Sequence, residues 1–320
     1  MNDSNRPLRV ILFGATGTIG QATLKALLEA GHVVTCFLRP TSNVDLPAGA
    51  TACFGNVAQP SHAFEETAFD AVVSCMASRT GMPRDAWAID HDAHAAVLAE
   101  AKASGVRRFV LLSALCVQQP ELPFQKAKLA FEAKLQDSGM TYSIVRPTAF
   151  FKSLSGQVKR VQEGKPFLVF GDGRLTACKP ISDRDLGRYI AGCLTDPNRS
   201  NRILPIGGPG HSITPHEQGE ALFAMLGRRP TFRRVPIAMM DAIIAALTVV
   251  GWVSPKARDK ADLARIGRYY ATHSMLVWDQ AAGKYSDSST PETGSESLYD
   301  FYEALLRGEA KIDLGDHAVF

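Results

Sequence analysis

The sequence predicts an α/β protein built on a doubly wound parallel sheet, with a smaller lobe toward the C-terminus. Three observations carry that prediction. Strand and helix patterns alternate from Arg9 to Leu194. The strands read as short, almost wholly apolar runs, as expected where helices cover both faces of a sheet. A glycine-rich turn joins the first strand to the first helix.

Residues 9–13 form the first strand and 18–30 the first helix, closed by Gly31 as C-cap. Residues 32–38 are the second strand and 50–54 a short third. The fourth, 69–75, is nearly all apolar, and a long helix over 84–104 follows it, ended by Gly105. Residues 107–113 are the fifth strand, 123–137 a helix ended by Gly139, and 140–146 the sixth strand, stopped by Pro147. This is the repeated unit of a Rossmann-type fold. Right-handed crossovers bring the strand ends, and hence the ligand, to one edge of the sheet.

Beyond residue 147 the pattern loosens. A helix is expected over 150–163, ended by Gly164, then strands over 167–170 and 175–181 around Gly171-Asp172-Gly173. Residues 183–194 read as a helix with Ser182 as N-cap. A last strand over 203–206, a helix over 213–227, a polar loop over 286–297 and a helix over 298–307 complete the chain. No clean linker intervenes. Residues 1–147 are therefore read as mainly the nucleotide-binding core, and 148–320 as remaining core elements plus a substrate-binding lobe with C-terminal helices.

The 320 residues are 46% hydrophobic and 21% charged, enough for a sizeable core. A net charge of +3, with no basic run interleaved with aromatics, argues against nucleic acid as a partner. Six scattered cysteines without a Cys-x-x-Cys pair fit free thiols in a reducing cytosol. Met1 to Arg9 shows neither a signal-peptide core nor a transit segment, so a cytoplasmic protein is expected. Ile237 to Val253 is an apolar run broken by Asp241 and Thr248, short of the roughly 20 residues a spanning helix needs. It reads as a packed helix capping the lobe, as an interfacial segment in peripheral membrane contact, or as the wall of a pocket for a greasy substrate. Nothing in the sequence bears on oligomeric state.

The residues that carry chemistry begin with the turn Gly14-Ala15-Thr16-Gly17-Thr18-Ile19-Gly20. Outward backbone N–H groups and the dipole of the following helix favour a pyrophosphate there, and glycines let it approach. Gly14, Thr16, Gly17, Thr18, Ile19 and Gly20 are thus the expected phosphate cradle, in the Gly-x-x-Gly-x-x-Gly spacing of short-chain dehydrogenases. An NAD-preferring fold ends its second strand with an acid that binds the ribose 2′-hydroxyl. Here the strand ends Phe37-Leu38-Arg39, and a cation suits a 2′-phosphate, so NADPH is the expected cofactor. Asn56 and Val57, after the third strand, are placed at the adenine. Ser74, ending the fourth, borders the adenosine side. Ser113, ending the fifth, is either a cofactor-facing or catalytic hydroxyl or a strand-end cap. Pro147, Thr148 and Ala149 follow the sixth strand, where the backbone should meet the nicotinamide.

The helix after the fifth strand decides the subclass. Short-chain dehydrogenases place Tyr-x-x-x-Lys there, and the i, i+4 spacing puts both side chains on one face. The lysine binds the nicotinamide ribose and lowers the pKa of the tyrosine, which then protonates a carbonyl oxygen. Here the stretch is Phe124-Gln125-Lys126-Ala127-Lys128. Lys128 is kept as the cofactor-binding and catalytic lysine. Phe124 donates no proton, which disfavours an alcohol dehydrogenase or ketoreductase. Lys152 and Lys179 face either a substrate carboxylate or solvent. Cys178 is a proton source or an inert buried thiol. His91 and His94 lie three apart, which places both on one face, but no further ligand is near, so they read as a solvated pair and no metal site is expected.

These residues resemble the atypical, NmrA-like short-chain dehydrogenases, and within them the NADPH-dependent divinyl chlorophyllide a 8-vinyl reductases. The resemblance rests on Leu115-Cys116-Val117-Gln118-Gln119-Pro120 with Phe124-Gln125-Lys126-Ala127-Lys128, on Arg146-Pro147-Thr148-Ala149-Phe150-Phe151-Lys152-Ser153-Leu154, and on Phe170-Gly171-Asp172-Gly173 with Ala177-Cys178-Lys179-Pro180-Ile181-Ser182. Tyr270-Ala271-Thr272-His273-Ser274-Met275-Leu276 is a weaker match. The resemblance implies reduction of the 8-vinyl group of divinyl chlorophyllide or protochlorophyllide in chlorophyll or bacteriochlorophyll synthesis. Without a transit segment it implies a bacterial form. Phe124, Phe150 and Phe151 would then meet the macrocycle, and Lys152 or Lys179 its propionate. Water, Lys179 and Cys178 are the candidate proton donors. Two other readings stand beside it: an ene or ether reductase of another aromatic metabolite, and a non-catalytic NADP(H) sensor or assembly factor.

Overall fold

A computed structural model describes residues 6–65 and 67–310. Strand β1 (Arg9–Phe13) runs through the glycine turn into α1 (Thr18–Glu29), then β2 (Val33–Leu38), β3 (Ala50–Phe54), the short α2 (His62–Glu65) and β4 (Ala71–Ser74). Next come α3 (Pro83–Ala86), a π-helical turn (Trp87–Ala93), α4 (His94–Ala103) and β5 (Arg108–Leu112). A 3₁₀ turn (Leu115–Gln118) leads to α5 (Pro123–Gln136) and β6 (Thr141–Pro147). After α6 (Phe151–Leu154), α7 (Val158–Gln162) and β7 (Phe167–Phe170), the chain returns to the sheet through α8 (Asp183–Gly192) and β8 (Arg202–Ile206). The remainder is α9 (Pro215–Met225), β9 (Phe232–Val235), α10 (Ile237–Val250), α11 (Pro255–Thr272), the hairpin β10 (Val277–Asp279) and β11 (Lys284–Ser286), and α12 (Leu298–Leu306).

The main sheet is parallel throughout, in the order β3-β2-β1-β4-β5-β6-β8. The chain reverses direction across the sheet between β1 and β4, and the crevice there is where such folds bind ligands. Side chains alternate across the strands. Val10, Leu12, Val34 and Val73 pack toward α1 and α8, and Ile11, Phe13, Val72 and Phe109 toward α4 and α5. The C-terminal lobe has its own core of Phe151, Val161, Phe167, Leu222, Phe223 and Tyr302, and the Tyr302 hydroxyl donates to Leu154 O (2.7 Å).

Three local expectations are corrected. The helix expected over 84–104 is interrupted by the π-helical turn, which no propensity signals. The helix expected over 150–163 breaks after Leu154: Ser155 Oγ bonds back to Phe151 O (2.7 Å), and Gln157 instead brackets the backbone of Leu168. Residues 175–181 form no ladder strand. They are held by single bridges from Cys178 to Ile213 and Met275 and from Ile181 to Phe150, and β7 pairs with β9 instead. Pro180 has no N–H for a ladder, and Gly208 lies so close to its carbonyl that a side chain there would collide. The polar loop over 286–297 is likewise anchored. Gly207 exchanges backbone bonds with Pro291 and Thr293, and Ser295 N and Glu296 N donate to Asp185 Oδ2 (3.0 Å each).

Candidate active site

The glycine turn has a distinct reason for each glycine. Gly14 has φ +78°, and a Cβ there would lie 2.7 Å from the Cys75 carbonyl carbon at the end of β4. Gly20 faces the Gly14 carbonyl so closely that any side chain is excluded. Gly17 is different: a Cβ would meet only Gly14 O, at 3.5 Å, and would otherwise face open space. Gly20 therefore closes the turn on itself, Gly14 seats it against the end of β4, and Gly17 keeps its outer side clear. Gly17 is also the N-cap of α1, with no side-chain cap and no acid in the first turn. The first helical bond is Gln21 N to Gly17 O (2.8 Å), so the amides of Thr18, Ile19 and Gly20 precede the helical ladder. Thr16 is half-buried beside them, and its carbonyl accepts from Gln21 Nε2 (3.2 Å). An uncapped, acid-free helix start with a cleared glycine fits a dinucleotide pyrophosphate.

Arg39, at the end of β2, is exposed, and its guanidinium makes no hydrogen bond or ion pair among the described residues. Asn56 and Val57 follow β3: Asn56 accepts from Ala58 N (3.0 Å), and Val57 packs on the core. Ser74 corrects its expectation. It is fully buried, and its hydroxyl donates to His94 Nε2 (2.9 Å). His94 Nδ1 donates to Ile89 O (2.8 Å), which leaves Nε2 as the acceptor. Burial holds the His94 pKa down at about 4, helped by the charge of Lys128. His94 is thus a neutral core group and not half of a solvated pair. Ser113 is also turned inward: its hydroxyl donates to Glu132, which is buried and paired with Arg146. It belongs to the strand-end reading and not to the cofactor-facing one.

Lys128 lies where the motif requires, and its partner is a residue that sequence reasoning missed. Its Nζ is 2.9 Å from Oδ1 of Asp90, which is buried in the π-helical turn. Asp90 also accepts from Ser78 N (3.2 Å) and Ser78 Oγ (2.6 Å), so one carboxylate ties α5 to the loop after β4. The extra residue of a π turn rotates a side chain off the regular helical register, a device frequent at functional sites. Nothing in the residue pattern announces it.

One turn before Lys128, Phe124 is buried with Leu122, Ala127, Cys116 and Tyr269. The Tyr269 hydroxyl lies 2.9 Å from Cys116 O and 3.0 Å from Gln119 O. The Tyr270 hydroxyl is 3.8 Å from Cys116 Sγ, and burial pushes the Cys116 thiol up. Both phenols come from α11, and Tyr269 packs with Phe124. Tyr270 opens the 270–276 stretch that carried the weaker resemblance, and Tyr269 stands just before it.

Thr148 N bonds Ile206 O (3.0 Å), and Ala149 O accepts from Ile181 N (3.0 Å), so the segment after Pro147 is fixed against β8 and residues 179–181. The Thr148 hydroxyl donates to Lys179 O. Phe150 is half-buried on the main core, whereas Phe151 is buried in the lobe core against Phe301, which removes it from the substrate-facing set. Lys152 turns to the glycine turn, with Nζ 3.2 Å from Thr18 Oγ1. Its charge opposes the upward shift that burial imposes on Asp183. Of its two expected places, a substrate carboxylate or solvent, it takes neither and lies beside the phosphate cradle. Cys178 is buried, and burial pushes its thiol up to about 12, so it is the inert thiol. Lys179 is buried too. Its Nζ donates to Thr290 O (3.2 Å) and lies 3.8 Å from Asp287 and 3.6 Å from Glu292, along a cavity of about 490 Å³. A substrate carboxylate would have to displace those acids.

The parallel sheet with its switch point, the cleared glycine and the lysine held by Asp90 define an NAD(P)H-binding protein. A family model described as NAD(P)H-binding matches residues 14–197. The chain is 45% identical over 98% of its length to a divinyl chlorophyllide a 8-vinyl-reductase of Arabidopsis thaliana, covering 81% of that protein. It is 46% identical over 97% of its length to the reductase of the same name from Oryza sativa subsp. indica, covering 82%. Among solved structures, an NADPH-dependent quinone oxidoreductase of Escherichia coli, complexed with NADPH, superposes with a TM-score of 0.68 at 18% identity, over 93% of this chain and 99% of that one. At that identity it speaks for the fold. The chain belongs to the NAD(P)H-binding family and, within it, to the divinyl chlorophyllide a 8-vinyl-reductase family. It is an oxidoreductase.

Proposed function

We propose that this protein reduces the 8-vinyl group of a 3,8-divinyl chlorophyllide to ethyl, with NADPH as reductant, in chlorophyll or bacteriochlorophyll synthesis. Divinyl protochlorophyllide is the second pigment of the same shape that it would accept. The observation that carries the reading is the identity with the plant reductases over nearly the whole chain. The geometry adds the chemical reason. Phe124 stands where a carbonyl reductase needs a phenol, while Lys128 is retained and held by Asp90.

When bound, the coenzyme supplies the hydride. The amides of Thr18, Ile19 and Gly20 would hold its pyrophosphate, with Lys152 adding a positive charge beside Thr18. The unpaired Arg39 would read a 2′-phosphate, which favours NADPH over NADH. Lys128, fixed by Asp90, would hold the nicotinamide ribose. Hydride addition to the vinyl terminus leaves negative charge delocalised over the macrocycle, and a proton on the adjacent carbon completes the ethyl group. No oxygen needs protonating, so a phenol at 124 is dispensable. Of the three proton sources named from the sequence, Cys178 and Lys179 are held in internal contacts, which leaves water. The test incubates the purified protein with NADPH and divinyl chlorophyllide, following the Soret shift and the mass gain of two hydrogens. Conversion to the monovinyl pigment is expected; none, aerobically and anaerobically, would overturn the proposal.

A further inference from the structure

Helix α10 inverts the usual arrangement of a surface helix. None of its residues is buried, although it is almost wholly apolar. Its half-covered residues Ile237, Met240, Ile244, Leu247 and Thr248 share one face, and α11 is the only described element it meets with more than incidental contact. Both of its polar side chains are satisfied from α11. Asp241 accepts from Arg268 Nε, and Thr248 Oγ1 accepts from Arg265 (2.7 Å) and donates to Ile244 O (2.6 Å). The outward face is left with Met239, Ile243, Val249 and Val250, all exposed. The turn to α11 carries Trp252 and Val253 at its tip, 81% and 87% exposed. A continuous exposed apolar surface of this kind marks an interaction site.

The charges around it say what kind. Arg229, Arg233 and Arg234 precede the helix, and Lys256 and Lys260 follow its tip. All five are exposed and make no ion pair among the described residues. The acids of the segment are Asp241, Asp259 and Asp262, and two of these are already bound by Arg268 and Arg265. An apolar helix ending in tryptophan and bracketed by free cations matches the chemistry of an anionic lipid surface: acyl chains for the apolar face, the headgroup boundary for the indole, phosphates for the cations. Among the described residues no helix is long and apolar enough to cross a membrane.

We infer that α10 and the Gly251–Ser254 turn form a membrane-docking arm, which seats the protein on an anionic bilayer surface without spanning it. The arm is tethered through α11, where Tyr269 and Ile266 pack against Phe124, so docking is joined to the wall of the candidate active site. The inference does not depend on which pigment is reduced.

The test is sedimentation of the full-length protein with sucrose-loaded vesicles of phosphatidylcholine alone or mixed with phosphatidylglycerol. Binding is expected to the mixed vesicles and to weaken with salt. The double variant Trp252→Ser/Val253→Ser, altered only at exposed tip residues, should bind at least tenfold more weakly. Lys256→Glu and Lys260→Glu should each cost about fivefold or more. Coenzyme titration and reduction of dissolved pigment by these variants should stay at wild-type level, which separates failure here from failure of the reductase assignment. Absence of binding to anionic vesicles, or a tip variant that binds as well as wild type, would overturn the inference. So would a lipid-free dimer that the tip variant splits, since a second copy would then be what covers the face.

Discussion

Replacing Asp90 by asparagine tests the central contact of the site. Asp90 is buried, and the Lys128 side chain is 12% exposed. At 2.9 Å and an effective permittivity of about 20, the gross attraction is roughly 6 kcal/mol. Desolvation of both groups consumes much of that, so the pair adds little net stability. Removing one partner is another matter, because it strands an ammonium in a mostly dry site, at about 3–5 kcal/mol. Asp90→Asn keeps the shape and an acceptor for Ser78, so the lower end, about 3 kcal/mol, is expected. The assay is urea denaturation of Asp90→Asn, Lys128→Met and the double variant. The double variant should recover at least about 1.5 kcal/mol relative to the sum of the singles. Single variants that each lose under about 1 kcal/mol and add without coupling would refute the claim that Asp90 holds the lysine.

Three further outcomes are expected. Gly20→Ala should collapse the turn and lower stability by several kcal/mol, about 2 or more, whereas Gly17→Ala should fold normally and lose at least about tenfold in coenzyme affinity; thermal melts and coenzyme titration read both. Arg39→Asp should weaken NADPH binding by about tenfold or more and leave NADH binding nearly unchanged, and equal losses would remove Arg39 as the phosphate reader. His94 is held at about 4 in the fold against an ordinary 6.5, so the unfolded chain binds the proton first as pH falls. Its contribution to stability is complete above pH 6.5 and is lost between there and about pH 4, on the order of 3 kcal/mol in all. Denaturation of His94→Asn across that range should show a shallower slope.

What the sequence disclosed, and what it hid, divides by distance along the chain. The six main strands and the glycine turn were legible because each is a local pattern. The apolar runs repeat at strand length, and the Gly14, Gly17 and Gly20 spacing fits one tight turn. The seventh strand at Arg202–Ile206 was legible for the same reason. Lys128 and Phe124 were legible because a helix fixes what lies one turn apart. The partners were not. Lys128 meets Asp90 through a π turn that no residue type marks, and Lys152 meets Thr18 across most of the fold. Ser74 and Ser113 stand at strand ends, as expected, yet His94 and Glu132 draw their hydroxyls inward from other elements. Phe151 differs from Phe150 only by pointing the other way. The strand expected over 175–181 failed because extended propensity does not supply a neighbour to pair with.

The most direct measurement of the central claim is a single turnover with NADPH deuterated at the nicotinamide C4 position, made in two preparations, one for each face. One preparation should yield monovinyl pigment one mass unit heavier than unlabelled NADPH gives, with the deuterium in the new ethyl group. Coenzyme and pigment both bound, with no deuterium reaching the pigment from either preparation, would contradict the account.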